Sequence, residues 1–359
     1  MHDFLTQAGG AERVVLQLAK LYPDAPIFTS LYEPAGTFTE FRQFDVRTSE
    51  LQGRVDPMEF RKSLFRYANA FTGFDLSDFD VAIVSSSAFA HHVRHTHKLV
   101  YCHTPPRFLF TLGSYGLSTS RLQLRDRALR AALSPLRGPD RTAARSAAGY
   151  RANSRTTAGR IAQAYGITAG VSYPPLRTEH LPKDVTQLPI RPSALVVSRL
   201  LPYKNVDVAI RACARVDIPL TVVGTGPAEQ ALQAVARKVG ASVHFSGQVS
   251  DAQLPEILQS HAVILVPGVE DFGYLPLEAN YAGRPVVASA QGGSLETITA
   301  GHNGLLAKPR DIDAWVQALN VALDRTWDPA ALRQSTARFS TEAFRVSFSN
   351  WVDSGLLAC

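Results

Sequence analysis

Apolar positions along the chain fall into short, β-branched runs separated by longer stretches with a helical period. The runs include Pro26 to Leu31, Phe79 to Ser85, Lys98 to Cys102, Gly149 to Asn153 and Val171 to Tyr173, then Ala194 to Val197, Leu220 to Val223, Val243 to Phe245, His261 to Val266 and Pro285 to Ala288. They are continuous rather than alternating, which predicts strands buried on both faces of parallel sheets. Between them, Val14, Val15, Leu18 and Leu21, and the segments Pro57 to Phe71, Arg155 to Tyr165, Val206 to Val216, Asp251 to Gln259 and Ile312 to Leu323, predict helices. Alternating strands and helices define the α/β class. The segment 174–192, with five prolines and little apolar period, reads as a linker. The chain therefore divides into residues 1–176 and 177–340, with 341–359 expected to pack back on the first part.

The most informative stretch is Val269 to Glu278, in which Glu270 and Glu278 stand eight residues apart around a Gly and a Pro. It follows the apolar run ended by Pro267 and leads into a helix whose first turn suits Pro276. Strand, loop and helix start is where parallel α/β folds hold ligands. The free N–H groups of such a helix start attract an anion, and a carboxylate can accept two hydrogen bonds from adjacent sugar hydroxyls. The plainer alternatives are a solvated loop Glu270 and a first-turn Glu278 favoured by the helix dipole. Arg199 and Lys204 lie in another strand-to-helix loop and could hold a diphosphate together. Gly9-Gly10 opens a helix without a strand before it, and His103 directly follows a strand, beside Pro105-Pro106. Gly224-Thr225-Gly226 lacks a third glycine and reads as a tight turn, not a dinucleotide fingerprint.

Composition narrows the classes. Apolar residues make up 45% of the 359 and charged residues 19%, as in soluble globular chains. Three widely spaced cysteines suggest neither a disulfide framework nor a metal cluster, and a reducing cytoplasm is the expectation. No leader-like segment or bilayer-spanning run is read, so an exported or transmembrane protein is not expected. The net charge of +6 is local: residues 121–160 hold ten arginines and two acids. Leu122, Leu124, Leu129, Leu133 and Leu136 accompany them, which suits either a solvated helical face or a peripheral surface for anionic membrane. No nucleic-acid module accompanies the charge, so nucleic acid is not expected as a partner. The Asp78-Phe79-Asp80 and Asp311-Ile312-Asp313 triplets read as a turn and a helix cap, and no His or Cys grouping has metal-ligand spacing. Chemistry without a metal or other cofactor is expected.

Several motifs in order resemble one family. Gly9-Gly10, Tyr101 to Arg107, Ala152 to Arg155, Ser198 to Lys204, Val223 to Pro227 and the Glu270–Glu278 pair are similar to those of the family-four retaining glycosyltransferases of the GT-B fold. The resemblance implies two Rossmann-like domains with a cleft between them, the C-terminal one holding a nucleotide sugar. It implies Arg199 and Lys204 on the diphosphate, with Gly9 and Gly10 approaching it. Glu278 would hold the ribose, Glu270 the transferred sugar, and the amides of Phe272, Gly273, Tyr274 and Leu275 the sugar and phosphate. Val249 would border the base, and His103 would bond the sugar near the reacting carbon.

The His2 to Leu5, Cys102 to Pro106 and Glu270 to Gly273 stretches are similar to those of bacterial polysaccharide mannosyltransferases, so the resemblance implies GDP-mannose as the donor and a glycan or lipid-linked molecule as the acceptor. A sugar-nucleotide epimerase of the same fold and a non-catalytic nucleotide-sugar binder are the alternatives. Relatives carry a strand ahead of the segment matching His2 to Leu5, so the first strand of the N-terminal domain is expected to be missing.

Overall fold

The computed structural model describes residues 1–56, 64–110, 131, 133–185 and 191–357. Arg121, Arg125, Arg127 and Arg130, with Leu122, Leu124 and Leu129, lie outside the described residues, as do the start of the expected helix 57–71, part of the proline-rich segment and Cys359. The chain divides into two compact units at Pro175/Leu176, and residues from Thr341 onward return to the first.

In the second unit, six strands form one sheet: β7 (Arg191–Val197), β8 (Leu220–Val223), β9 (Val243–Gly247), β10 (His261–Val266), β11 (Val286–Ser289) and β12 (Gly304–Ala307). All neighbours are parallel and the spatial order is β12-β11-β10-β7-β8-β9. The first strand thus lies inside the sheet, and the winding direction reverses between β7 and β10. A crevice opens at such a reversal, because the loops leaving the two strands turn to opposite faces. Continuous apolar strands are explained by burial from both sides. Ala194, Val196, Val222, Val263, Leu265 and Val287 pack with Ala209, Ile210 and Cys213 of the helix Val206–Val216 and with Trp315 and Leu319 of the helix Ile312–Asp324. The latter helix starts at Asp311, whose side chain accepts from the Ala314 amide at 3.2 Å.

In the first unit, β1 (Ile27–Thr29) pairs with β2 (Val46–Thr48), and β3 (Ala82–Ser86), β4 (Lys98–Cys102), β5 (Gly149–Ala152) and β6 (Gly170–Val171) form a second parallel ladder. His2 joins the two sets by single bridges to Thr29 and Ser85. An apolar cavity of about 280 Å³, lined by Met1, Ile27, Phe28, Ala82 and Ile83, lies beside this junction. Asp3 fastens the same region: its carboxylate accepts from the amides of Ser87, Ala88, Phe89 and Ala90 at 2.5–3.0 Å. The helix Gly10–Leu21 covers one face with Val14 and Leu18. The last helix, Thr341–Leu357, packs Phe344, Phe348, Trp351 and Val352 against them and against Leu99 and Tyr101.

Of the described arginines in the basic segment, three in the helix Arg137–Arg145 are used internally. Arg137, Arg141 and Arg145 donate from Nε to the carbonyls of Leu109, Ala164 and Tyr165, each at 2.8 Å. Among the described residues no helix is long and apolar enough to cross a membrane.

Candidate functional site

The second unit brings two loops together where β7 and β10 diverge. After β7, Ser198 to Leu201 lead into the short turn Pro202–Lys204, and Asn205, at φ 50°, swings the chain into the helix Val206–Val216. After β10, Pro267 to Gly273 lead into the helix Tyr274–Tyr281, with Gly273 at φ 90° as its cap. The loops touch closely: a Cβ on Gly268 would come within 3.1 Å of the Lys204 Cα, and the Asn205 side-chain Nδ2 donates to the Pro267 carbonyl at 3.5 Å. Lys204 Nζ donates to Glu270 Oε1 at 2.6 Å, so two candidate residues 66 positions apart form one half-buried ion pair. Arg199 is exposed at the entrance of its loop, and Val249, just past β9, is half-buried.

Each loop is backed by glycines. Gly224 and Gly226 lie under the Arg199 loop, where a side chain on either would overlap the carbonyl of Ser198 or of Leu200. Gly292 and Gly293 lie under the Glu270 loop in the same manner, against the carbonyls of Glu270 and Phe272, and the Gly293 amide donates to the Glu270 carbonyl at 2.8 Å. Two carbonyl-lined walls thus set the height of the loops above the sheet. Phe272 is buried, its ring 5.3 Å from Tyr274 and 5.6 Å from Phe339, which leaves the backbone of Gly273 to Leu275 at the helix start. Glu278 is buried at 5% exposure and is the fifth residue of its helix. It therefore lies beyond the first turn, and the helix-dipole explanation for it fails.

The first unit places the remaining candidates at the C-terminal ends of its central strands. Gly9, extended at φ −111° and ψ −176°, caps the helix Gly10–Leu21, and the Glu12 carboxylate folds over it, 2.6 Å from where a Cβ would stand. Glu12 is buried at 1% exposure and accepts from Gln7 Nε2 at 3.1 Å. His103 follows β4; its amide donates to the Ser86 carbonyl at 2.8 Å and its Nε2 lies 2.8 Å from Ser85 Oγ. Burial, helped by His2, pushes its pKa down to about 3, so the ring is neutral over the physiological range.

One grouping escaped the spacing argument. His91 and His92 are adjacent on a short turn, and Nε2 of each lies 3.0 Å from Oδ1 of Asp140, nearly fifty residues on, while Tyr165 OH donates to Oδ2 at 3.0 Å. Burial alone would raise the Asp140 carboxyl; the histidines outweigh it and hold it at about 2. Buried Lys98 donates to the carbonyls of His91, Val93 and Ala143 at 2.7–3.1 Å, so positive charge already adjoins this cluster and a further cation there would be repelled. The cluster ties the turn after β3 to the helix Arg137–Arg145. Only a guess at which strand ends meet could have found it.

The fold over the whole chain is that of GT-B glycosyltransferases: sucrose-phosphate synthase from Thermosynechococcus elongatus superposes with a TM-score of 0.75 over 99% of this chain and 96% of that one, at 19% identity. Anabaena HepE in complex with UDP-glucose does so with a TM-score of 0.67 over 98% and 99%, at 21% identity. Residues 183–340 match the family model "Glycosyl transferases group 1". A GDP-mannose-dependent α-(1-6)-phosphatidylinositol monomannoside mannosyltransferase from Mycolicibacterium smegmatis is 31% identical over 192 residues, 46% of this chain. The chain spans about half the length of that curated relative.

Proposed function

We propose that the protein is a retaining glycosyltransferase that moves mannose from GDP-mannose to a glycan or lipid-linked acceptor without a metal. The observation that carries this reading is the Lys204–Glu270 pair at the β7/β10 reversal, because it joins a phosphate-type cation to a hydroxyl-type acceptor beside a helix start. In this reading Lys204 and Arg199 neutralise the diphosphate as the glycosidic bond breaks, together with the amides of Gly273 to Leu275. Preorganised donors of this kind can supply several kcal/mol, on the order of 3 for one lost donor, where charge develops. Glu270 exchanges its ammonium partner for the sugar hydroxyls, Glu278 holds the ribose, Val249 borders the base and His103 bonds the transferred sugar. The leaving phosphate then assists deprotonation of the acceptor, which attacks the same face.

GDP-mannose is favoured over UDP-glucose by the GDP-mannose dependence of the mycobacterial relative, against the ligand of the HepE complex. The test is a thermal-shift panel of GDP-mannose, GDP, UDP-glucose and UDP, followed by product analysis with labelled donor. Shifts with GDP-mannose and GDP but with neither uridine nucleotide, and an axial, retained linkage, are expected. Stabilisation by UDP-glucose alone would overturn the donor, and epimerised donor in the absence of acceptor would overturn transfer.

A further inference from the structure

Behind His103, three side chains that the proposed reaction does not use form a single file. Glu12 and His2 are each 1% exposed, as is Ser85, and His103 ends the line at 7%. His2 Nε2 stands 3.8 Å from Glu12 Oε1. His2 Nδ1 stands 3.2 Å from the Ser85 carbonyl and 3.0 Å from Ser85 Oγ, and the same Oγ stands 2.8 Å from His103 Nε2.

The protons on this line follow from what each atom can do. A carbonyl oxygen only accepts, so His2 Nδ1, facing one, carries a proton whether or not His2 is charged. That proton is shared between the Ser85 carbonyl and Oγ, so Oγ is an acceptor toward His2. The Ser85 hydroxyl proton then has one acceptor among the described residues, the lone pair of His103 Nε2. Were His103 Nε2 protonated instead, Oγ would accept twice and its own proton would be buried without a partner, the costly arrangement. A neutral ring that accepts at Nε2 carries its proton at Nδ1. Nδ1 takes no hydrogen-bond partner among the described residues, so its N–H is left for a ligand.

We propose that Ser85, held by His2 and backed by Glu12, is a positioning residue that fixes the Nδ1–H tautomer of His103, so that this histidine meets its ligand as a neutral hydrogen-bond donor to an oxygen acceptor and not as a base. The identity of the ligand as the transferred sugar rests on the function proposed above; the tautomer does not.

The test uses the full chain labelled with 15N-histidine. Two-bond proton–nitrogen correlation spectra distinguish a protonated from an unprotonated ring nitrogen, and a His103→Gln variant identifies the signals of His103 among the ten histidines. The wild type is expected to show Nδ1 protonated and Nε2 bare at pH 7. Ser85→Ala is expected to shift His103 toward the Nε2–H form, and Ser85→Thr, which keeps the hydroxyl, to restore the original pattern. Should Ser85→Ala fail to fold, His2→Phe removes the donor to Oγ and is expected to give a mixture of tautomers. A bare Nδ1 in the wild type, or an unchanged pattern in Ser85→Ala or, in its stead, His2→Phe, overturns the proposal. Transfer assays read the second layer: Ser85→Ala is expected to lower kcat about tenfold, the worth of one neutral hydrogen bond, with Ser85→Thr recovering it. A tautomer shift with unchanged kcat would leave the relay standing and overturn the assignment of His103 to the sugar.

Discussion

At the scale of single residues, two side chains separate the roles assigned to the two units. Lys204 is paired with Glu270, and because the pair reaches solvent at 14% and 29% exposure, water can take over for the lost partner and the pair's net worth is about 0–1 kcal/mol. Lys204→Ala should therefore unfold at nearly the wild-type temperature while losing transfer by about 10²-fold or more, as expected for removal of a charge-stabilising donor. Turnover close to wild type would remove Lys204 from the diphosphate. His103 gives a prediction with a sign. Its folded pKa, about 3, lies below the ordinary histidine value, so between about pH 6.5 and 3 the unfolded chain takes up a proton that the folded one refuses. Stability linked to this ring is whole above that window and is lost as pH falls through it. Urea midpoints at pH 7.5 and 5 should fall less in His103→Gln than in the wild type; equal falls would show that the buried ring does not carry the acid sensitivity.

At the scale of elements, the sequence exposes what depends on neighbours in the chain and hides what depends on neighbours in space. The strand His261–Val266 is legible residue for residue, because five apolar positions after His261 end at a proline that cannot continue the ladder. The helix entered through Pro276 is legible too, but it starts at Tyr274, which is why Glu278 falls outside the first turn. β2, two half-buried residues around the exposed Arg47 and paired with β1, has too short a pattern to read. Among the candidate site residues, the loops themselves are visible, whereas Gly292 and Gly293 become meaningful only against the carbonyls of Glu270 and Phe272, over twenty residues back. Gly293 tests this directly. Its φ of −63° suits any residue, so Gly293→Ala acts through the overlap of its Cβ with Phe272 and not through backbone strain. The Glu270 loop should be displaced, with donor affinity down about tenfold or more and the unfolding temperature lowered only modestly, because small shifts of positioning groups are costly for binding and catalysis. Unchanged affinity by calorimetry would mean that the loop's height is not set there.

At the scale of the whole molecule, each unit is built on parallel strands, and Arg199, Lys204 and Glu270 in one and His103 in the other follow the C-terminal ends of inner strands. The units differ in how they are completed. Among the described residues the second lies within Leu176–Ser340, whereas the first also takes the last helix, since Phe344, Phe348 and Trp351 bury against Val14, Leu18, Leu99 and Tyr101. Phe348 is fully buried, and Phe348→Ala should cost about 3–5 kcal/mol. Hydrogen exchange should locate that loss in the first unit, with amides of β7, β8 and β10 unaffected; uniform deprotection would show that the units unfold together. The returning helix also sets an order in time. On the ribosome the first unit emerges early but must wait, its surface around Leu99 and Tyr101 uncovered, until all of the second unit has been synthesised, whereas the second needs nothing that comes after it. The half of the protein made last is thus the first that can finish folding, and the half made first has the longer exposure to chaperones and proteases.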